Sequence, residues 1–126
     1  MQDEPKPGEL TKAVADFLRN DIAPLISGHD AFKLRVAVNA LDLVTRQLTL
    51  EQGGDAAENA RLAALLGRED ALLELNRVLS ERIASGEVDL QTPGLAEHLW
   101  QTTMDKLAVD QPNYGSYKRE LGSKGN

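Results

Sequence analysis

The sequence predicts an all-α fold, an antiparallel bundle of about five helices with the second helix, about residues 30–52, at its centre. Three observations carry that expectation. Apolar residues recur at steps of three and four through most of the chain. Glycine and proline punctuate these periodic segments at intervals suited to short loops between antiparallel neighbours. No segment sustains the alternation of a half-buried strand, and the one candidate, Glu87 to Leu90, is too short for a sheet.

Residues 1–8 are polar with two prolines and read as an extended lead-in. Leu10, Val14, Phe17, Leu18, Ile22 and Leu25 then define the first helix. Pro24 has no N–H and crowds the carbonyl of Asn20, which predicts a kink or early stop near Asp21 and a turn at Ser27 and Gly28. The second helix is expected to start near Asp30 and to stop before Gly53 and Gly54. Asp55 with Glu58 three positions on has the form of a capping box, predicting a short third helix that carries Leu62, Leu65 and Leu66 and stops at Gly67. A fourth helix is expected from about Asp70 to Ser85, with Leu72, Leu75, Leu79 and Ile83 on one face and Gly86 past its end. Thr92 and Pro93 open a fifth, running to about Asp110 before Pro112. Residues 115–126 hold three glycines and mixed charge, and are expected to be disordered. The domain reading is a lead-in over 1–8, one helical domain over 9–114 and a tail over 115–126.

Composition narrows the function classes. Fourteen Lys and Arg stand against 20 Asp and Glu, a formal charge of −6, which disfavours nucleic acid and anionic membranes as partners. Cysteine is absent, so thiolate chemistry and disulfides are excluded and a reducing compartment, the cytoplasm, is the expected location. The N-terminus has no apolar core of signal-peptide length, and no apolar run approaches membrane-spanning length.

The candidate site begins on the second helix. Arg35, Asn39, Asp42 and Arg46 follow one another at steps of four, three and four, and fall in one strip of an otherwise apolar helix. Two guanidiniums on one face can clamp a phosphate or carboxylate, and the same spacing also suits a solvated face or a bridge between helices. Asn76 sits between Leu72 and Leu79 in the apolar seam of the fourth helix, where a buried amide needs partners and fixes register more often than it catalyses. His98, Thr102 and Asp105 share one face of the fifth helix, set opposite Leu95, Leu99, Trp100, Thr103 and Leu107. His29 and His98 lack the spacing of a metal site, so no metal or cofactor is expected. No nucleophile elbow, catalytic cysteine or glycine-rich phosphate loop is present, and the hydroxyls of Thr102 and Thr103 are expected to bond back to their own helix. Trp100, with Met104 one turn on, reads as core edge or, if exposed, a binding hot spot.

Four stretches carry a family resemblance. They are Pro7-Gly8-Glu9-Leu10 continuing to Asp16-Phe17-Leu18; Phe32 to Leu48 with Arg35-Val36-Ala37 and Asn39-Ala40-Leu41; Leu62 to Asn76 with Leu65-Leu66-Gly67 and Leu75-Asn76-Arg77; and Thr103 to Tyr114 with Asp105-Lys106-Leu107-Ala108-Val109-Asp110 and Pro112. In these the chain resembles a bacterial family of small all-helical proteins described as a domain of unknown function, often encoded beside aminoglycoside-phosphotransferase-like kinases and acyl-CoA dehydrogenases. Arg35, Asn39, Arg46, Asn76, Asp105 and Lys106 fall on the family's recurring polar positions, whereas Gln47 stands where the family usually shows an acidic residue. The resemblance implies a protein partner, a phosphotransferase-like kinase or acyl-CoA dehydrogenase, in a pathway handling acyl-CoA or small hydroxylated metabolites.

The expected function is that of a non-enzymatic accessory or interaction protein, binding another protein or itself as a homodimer through apolar faces left after folding. The alternative is a small anionic ligand held by Arg35, Asn39, Asp42, Arg46, Asn76, Asp105 and Lys106 between the second, fourth and fifth helices. Acid-base catalysis by the Asp105 and Lys106 region is a third expectation, and no catalytic residue is assigned.

Overall fold

The computed structural model describes residues 4–124. Among the described residues there are five α-helices and no strand: α1 (Pro7–Phe17), α2 (Gly28–Leu66), α3 (Leu72–Ser85), α4 (Leu95–Asp110) and α5 (Gly115–Lys124). The all-α class is therefore as the periodicity predicts. The chain packs as two compact units, Met1–Glu51 and Gln52–Asn126, and α2 contributes its N-terminal part to the first and its C-terminal part to the second.

The first unit is a helical hairpin. α1 starts earlier than the periodicity alone suggests, because Pro7 fits the first helical position, where its missing N–H is no loss, and Glu9 reaches back to accept the backbone N–H of Lys6 at 3.0 Å. The lead-in is correspondingly shorter than 1–8, and residues 1–3 of it lie outside the described residues. Pro24 acts as anticipated: the helix widens to a π-turn over Leu18–Ile22, tightens to a 3₁₀-turn over Ala23–Leu25 and ends. Gly28 then turns the chain with φ +68°, a conformation that glycine adopts without penalty. α1 returns along α2 in the antiparallel sense. Thr11 and Thr45 hydroxyls lie 2.6 Å apart, and Gly8 lies so close to Thr49 that a Cβ at that position would stand 2.9 Å from its methyl group. Small residues thus set the contact, with Gly8, Ala15 and Val38 as the buried side of the hairpin.

The second unit has a core of its own. Leu62 and Leu66 of α2, Leu75, Val78 and Leu79 of α3, Val88 of the following loop and Leu95 of α4 form one buried cluster, with Leu62 and Leu75 fully enclosed. Removing each of those two leucines from water stabilises the fold by about 1.5–3 kcal/mol. Gly67, with φ +70°, ends α2 as its spacing predicts: its N–H and that of Arg68 both bond back to the Ala63 carbonyl. Gly86 ends α3 in the same left-handed conformation, φ +82°. α4 begins at Leu95, two residues later than Thr92 and Pro93 suggest, because Thr92 is occupied in the loop, accepting the Asp89 N–H at 3.0 Å.

Two expectations are corrected. The second and third predicted helices are one helix of 39 residues, running through Gly53 and Gly54 without a break. Neither glycine has a positive φ, so neither acts as a cap. A mid-helix glycine costs about 1 kcal/mol relative to alanine, which is less than losing the hydrogen bonds of a helix end and nucleating a new helix at Asp55. Residues 115–124, expected to be disordered, form α5: Tyr114, Tyr117 and Leu121 recur at steps of three and four, and Tyr117 is buried. Residues 125–126 of that tail lie outside the described residues.

The glycine pair gives a direct test of the continuous helix. A Cβ at Gly53 or Gly54 meets nothing within 4 Å. Gly53→Ala and Gly54→Ala should each raise stability by about 0.5–1 kcal/mol, read as a higher urea midpoint by circular dichroism. If the two glycines were helix stops, both substitutions would destabilise instead.

Candidate functional site

α4 is inverted relative to its sequence pattern. The polar face His98, Thr102 and Asp105 turns inward, and Leu95, expected opposite it, is buried on the same side because steps of three and seven put it on the face of His98 and Thr102. The apolar residues Leu99 and Trp100 and the neighbouring Thr103 turn outward. The cause is Arg61 of α2, whose guanidinium reaches all three inward residues. Its Nε donates to His98 Nδ1 at 3.4 Å, one Nη donates to Thr102 Oγ1 at 3.3 Å, and the same Nη lies 3.8 Å from the Asp105 carboxylate. Asp105 is held from its own helix as well, by Gln101 at 2.9 Å.

His98 is only 3 % exposed. Burial holds its pKa below the usual value, the Arg61 charge lowers it further, and Glu58 pulls in the opposite direction. At neutral pH the ring is therefore uncharged. Nδ1 accepts from Arg61, so the proton sits on Nε2. Thr102 accepts from Arg61, and Thr103 bonds back to its own helix as expected, donating to the Leu99 carbonyl at 2.8 Å.

The seven residues singled out in the sequence fall into both units. Arg35, Asn39, Asp42 and Arg46 lie on α2 in the first unit; Asn76, Asp105 and Lys106 lie in the second. Asp42 is paired with Arg19 at 2.5 Å, and Arg19 also pairs with Asp16 at 3.4 Å, so this edge of the strip ties α2 to the helix end before Pro24. Arg35 stands over the Phe32 ring, 5.7 Å from its centroid, and that ring stacks on His29. Asn39 is exposed and Arg46 half-buried. Asn76 is satisfied as a seam amide should be, donating to Glu58 Oε1 at 3.0 Å and to the Leu72 carbonyl at 3.2 Å. Lys106 is exposed, while Asp105 faces Arg61.

Sequence reasoning missed Arg61 and took Glu58 for a helix cap. Both are visible in hindsight as an i, i+3 pair beside the Leu62, Leu65 and Leu66 seam, where a charged side chain must lead into a neighbour's polar face. Among the described residues no group of three His, Asp or Glu side chains stands close enough to hold a metal ion. No buried side-chain nitrogen or oxygen is left without a partner there. The cluster of Glu58, Arg61, Asn76, His98, Thr102 and Asp105 is thus a self-satisfied strut joining α2, α3 and α4.

Leu99 and Trp100 are 40 % and 45 % exposed, with Thr103 one turn on and Lys106 at the margin. Met104, expected to share Trp100's environment, is buried. A family model described as domain of unknown function DUF6285 matches residues 24–114. The chain belongs to the DUF6285 family. No curated protein and no solved structure matches it. The DUF6285 match takes in α2, α3 and α4 with the whole Arg61 cluster, and leaves α1 and α5 outside its limits.

His98 makes the cluster sensitive to acid. Its folded pKa lies below the ordinary 6.5, so between the two values the unfolded chain binds the proton and the folded chain does not. This contribution is complete above pH 6.5 and is lost as pH falls through the folded value. The melting temperature should fall from neutral to mildly acid pH, with a smaller fall in His98→Gln. By NMR the His98 ring should titrate below 6.5, and Arg61→Gln should raise that midpoint; titration at or above 6.5 in the intact protein would contradict a buried neutral ring.

Proposed function

We propose that this DUF6285 protein is a non-enzymatic interaction protein whose second unit docks on another protein through the outward face of α4. The observation that carries this reading is the inversion of that helix. The unit already encloses its own core, and α4 spends its polar face on Arg61, so Leu99 and Trp100 are not needed to complete the fold. A half-exposed tryptophan beside an exposed leucine, on a rigid helix and rimmed by a lysine, has the composition of an interface hot spot. The polar side chains behind it are tied to one another, Arg61 to His98, Thr102 and Asp105 and Asn76 to Glu58, which supports a structural use of that cluster beside a binding use of the outer face. No helix among the described residues is long and apolar enough to cross a membrane.

The resemblance read from the sequence supplies the partner class: a phosphotransferase-like kinase, for which this chain serves as an accessory, with an acyl-CoA dehydrogenase as the second candidate. The tagged protein, purified from its host at native expression, should bring such an enzyme down in stoichiometric amount. Trp100→Ala should abolish that recovery while changing stability by less than about 0.5 kcal/mol, as expected of an exposed side chain. Recovery unaffected by Trp100→Ala would remove α4 from the interface. Recovery of the chain alone would end the accessory reading.

A further inference from the structure

The hairpin of α1 and α2 is amphipathic across its width, and this does not depend on the reading of α4. Lys12 pairs with Asp16 at 2.7 Å, Asp16 with Arg19, and Arg19 with Asp42, which places one flank of α1 and the Asp42 flank of α2 on the same side. The opposite flanks therefore share the other side. On a helix wheel they carry Leu10, Val14 and Phe17 from α1, at steps of four and three, and Val44 and Leu48 from α2, at a step of four. All five are exposed. Among the described residues of this hairpin only Gly8, Ala15 and Val38 are fully buried, with Leu18, Leu34 and Leu41 half-buried, a small contact for two helices in water without a further layer.

We infer that this face is covered by the same face of a second copy of the chain, making a four-helix bundle with two-fold symmetry. A hairpin two helices wide needs a cover two helices wide, with apolar stripes of matching length. A second copy meets that by symmetry: a two-fold axis lying between the two faces and parallel to the helices lays each α1 against the partner's α2, so that any contact made in one direction is repeated in the other. Area and charge agree. The exposed halves of five large apolar side chains amount to roughly 400–500 Å² per copy, so pairing removes about 800–1,000 Å² in total from these side chains alone, at the edge of the range of specific interfaces. The ion-paired charges Lys12, Asp16, Arg19 and Asp42 all lie on the far flank, so facing two copies brings none of them together.

Sedimentation of the full chain tests this, and the absence of native cysteine allows a second, independent readout. The chain should sediment at twice its monomer mass at micromolar concentration. Val14→Glu and Val44→Glu should each halve that mass, whereas Lys12→Glu on the far flank should leave it unchanged. Val14→Cys chains mixed with Val44→Cys chains should form an intermolecular disulfide under mild oxidation, and Lys12→Cys chains mixed with Val44→Cys chains should not, which holds even if a glutamate variant loses helicity. A monomer at all concentrations overturns the inference. A monomer whose melting temperature also falls in Val14→Glu means that the face is covered within the chain, and a dimer that survives both glutamate variants means that copies meet elsewhere. The Trp100→Ala variant should remain dimeric, so failure of this inference and failure of the α4 reading are distinguishable.

Discussion

The guanidinium of Arg61 decides which way the second unit is built. A buried or half-buried arginine is tolerated only when its donors are used, and α4 supplies the acceptors in one row: His98, Thr102 and Asp105. Once that row is turned toward α2, the rotation of α4 is fixed. Leu95 and Met104 then complete the inner side, and Leu99 and Trp100 have only the outer side left to occupy. A single long side chain on one helix thus places the apolar residues of another on the surface.

The cluster also shows how polar groups can be enclosed at low cost. Asn76 divides its amide hydrogens between Glu58 and the Leu72 carbonyl, and the ring of His98 stays neutral because burial and the Arg61 charge act in the same direction. Glu58 and Arg61 are one turn apart on α2, each engaging a different neighbour, α3 and α4 respectively. Opposite charges on adjacent turns keep the local field near balance while tying three helices together. Arg82 adds a further link, donating to the last carbonyl of α2 at Leu66.

The sequence made the helical segments legible because their apolar period is strong: Leu62, Leu75, Leu79 and Leu95 are core residues that spacing alone identifies. Glycine stops at Gly67 and Gly86 were equally legible, since a left-handed cap demands that residue. Gly53 and Gly54 misled because the same residue type is also tolerated inside a helix at modest cost, and only the φ angle tells the two uses apart. The candidate site was legible in part. His98, Thr102 and Asp105 could be put on one face by their spacing, but not turned inward, because the direction depends on Arg61, a residue 37 positions from His98 whose own pattern is unremarked among alanines and leucines. Spacing places Arg35, Asn39, Asp42 and Arg46 on one face but leaves a ligand clamp, a solvated face and a bridge between helices open, and the members differ, with Asp42 bonded to Arg19 and Arg35 set over an aromatic ring.

The two units reach order by different routes, and the contrast bears on how each is used. The second closes seven apolar side chains into one cluster, so its outward residues are surplus to folding. Among its described residues the first buries two small residues and one valine, so its apolar flank is left outside the contact that Gly8, Ala15 and a pair of threonines make. α2 belongs to both, and its glycine pair stands just past the division between them. If both proposals hold, ordering of the first unit is coupled to an encounter at its apolar flank, whereas the α4 face is preformed and would meet a partner without further folding.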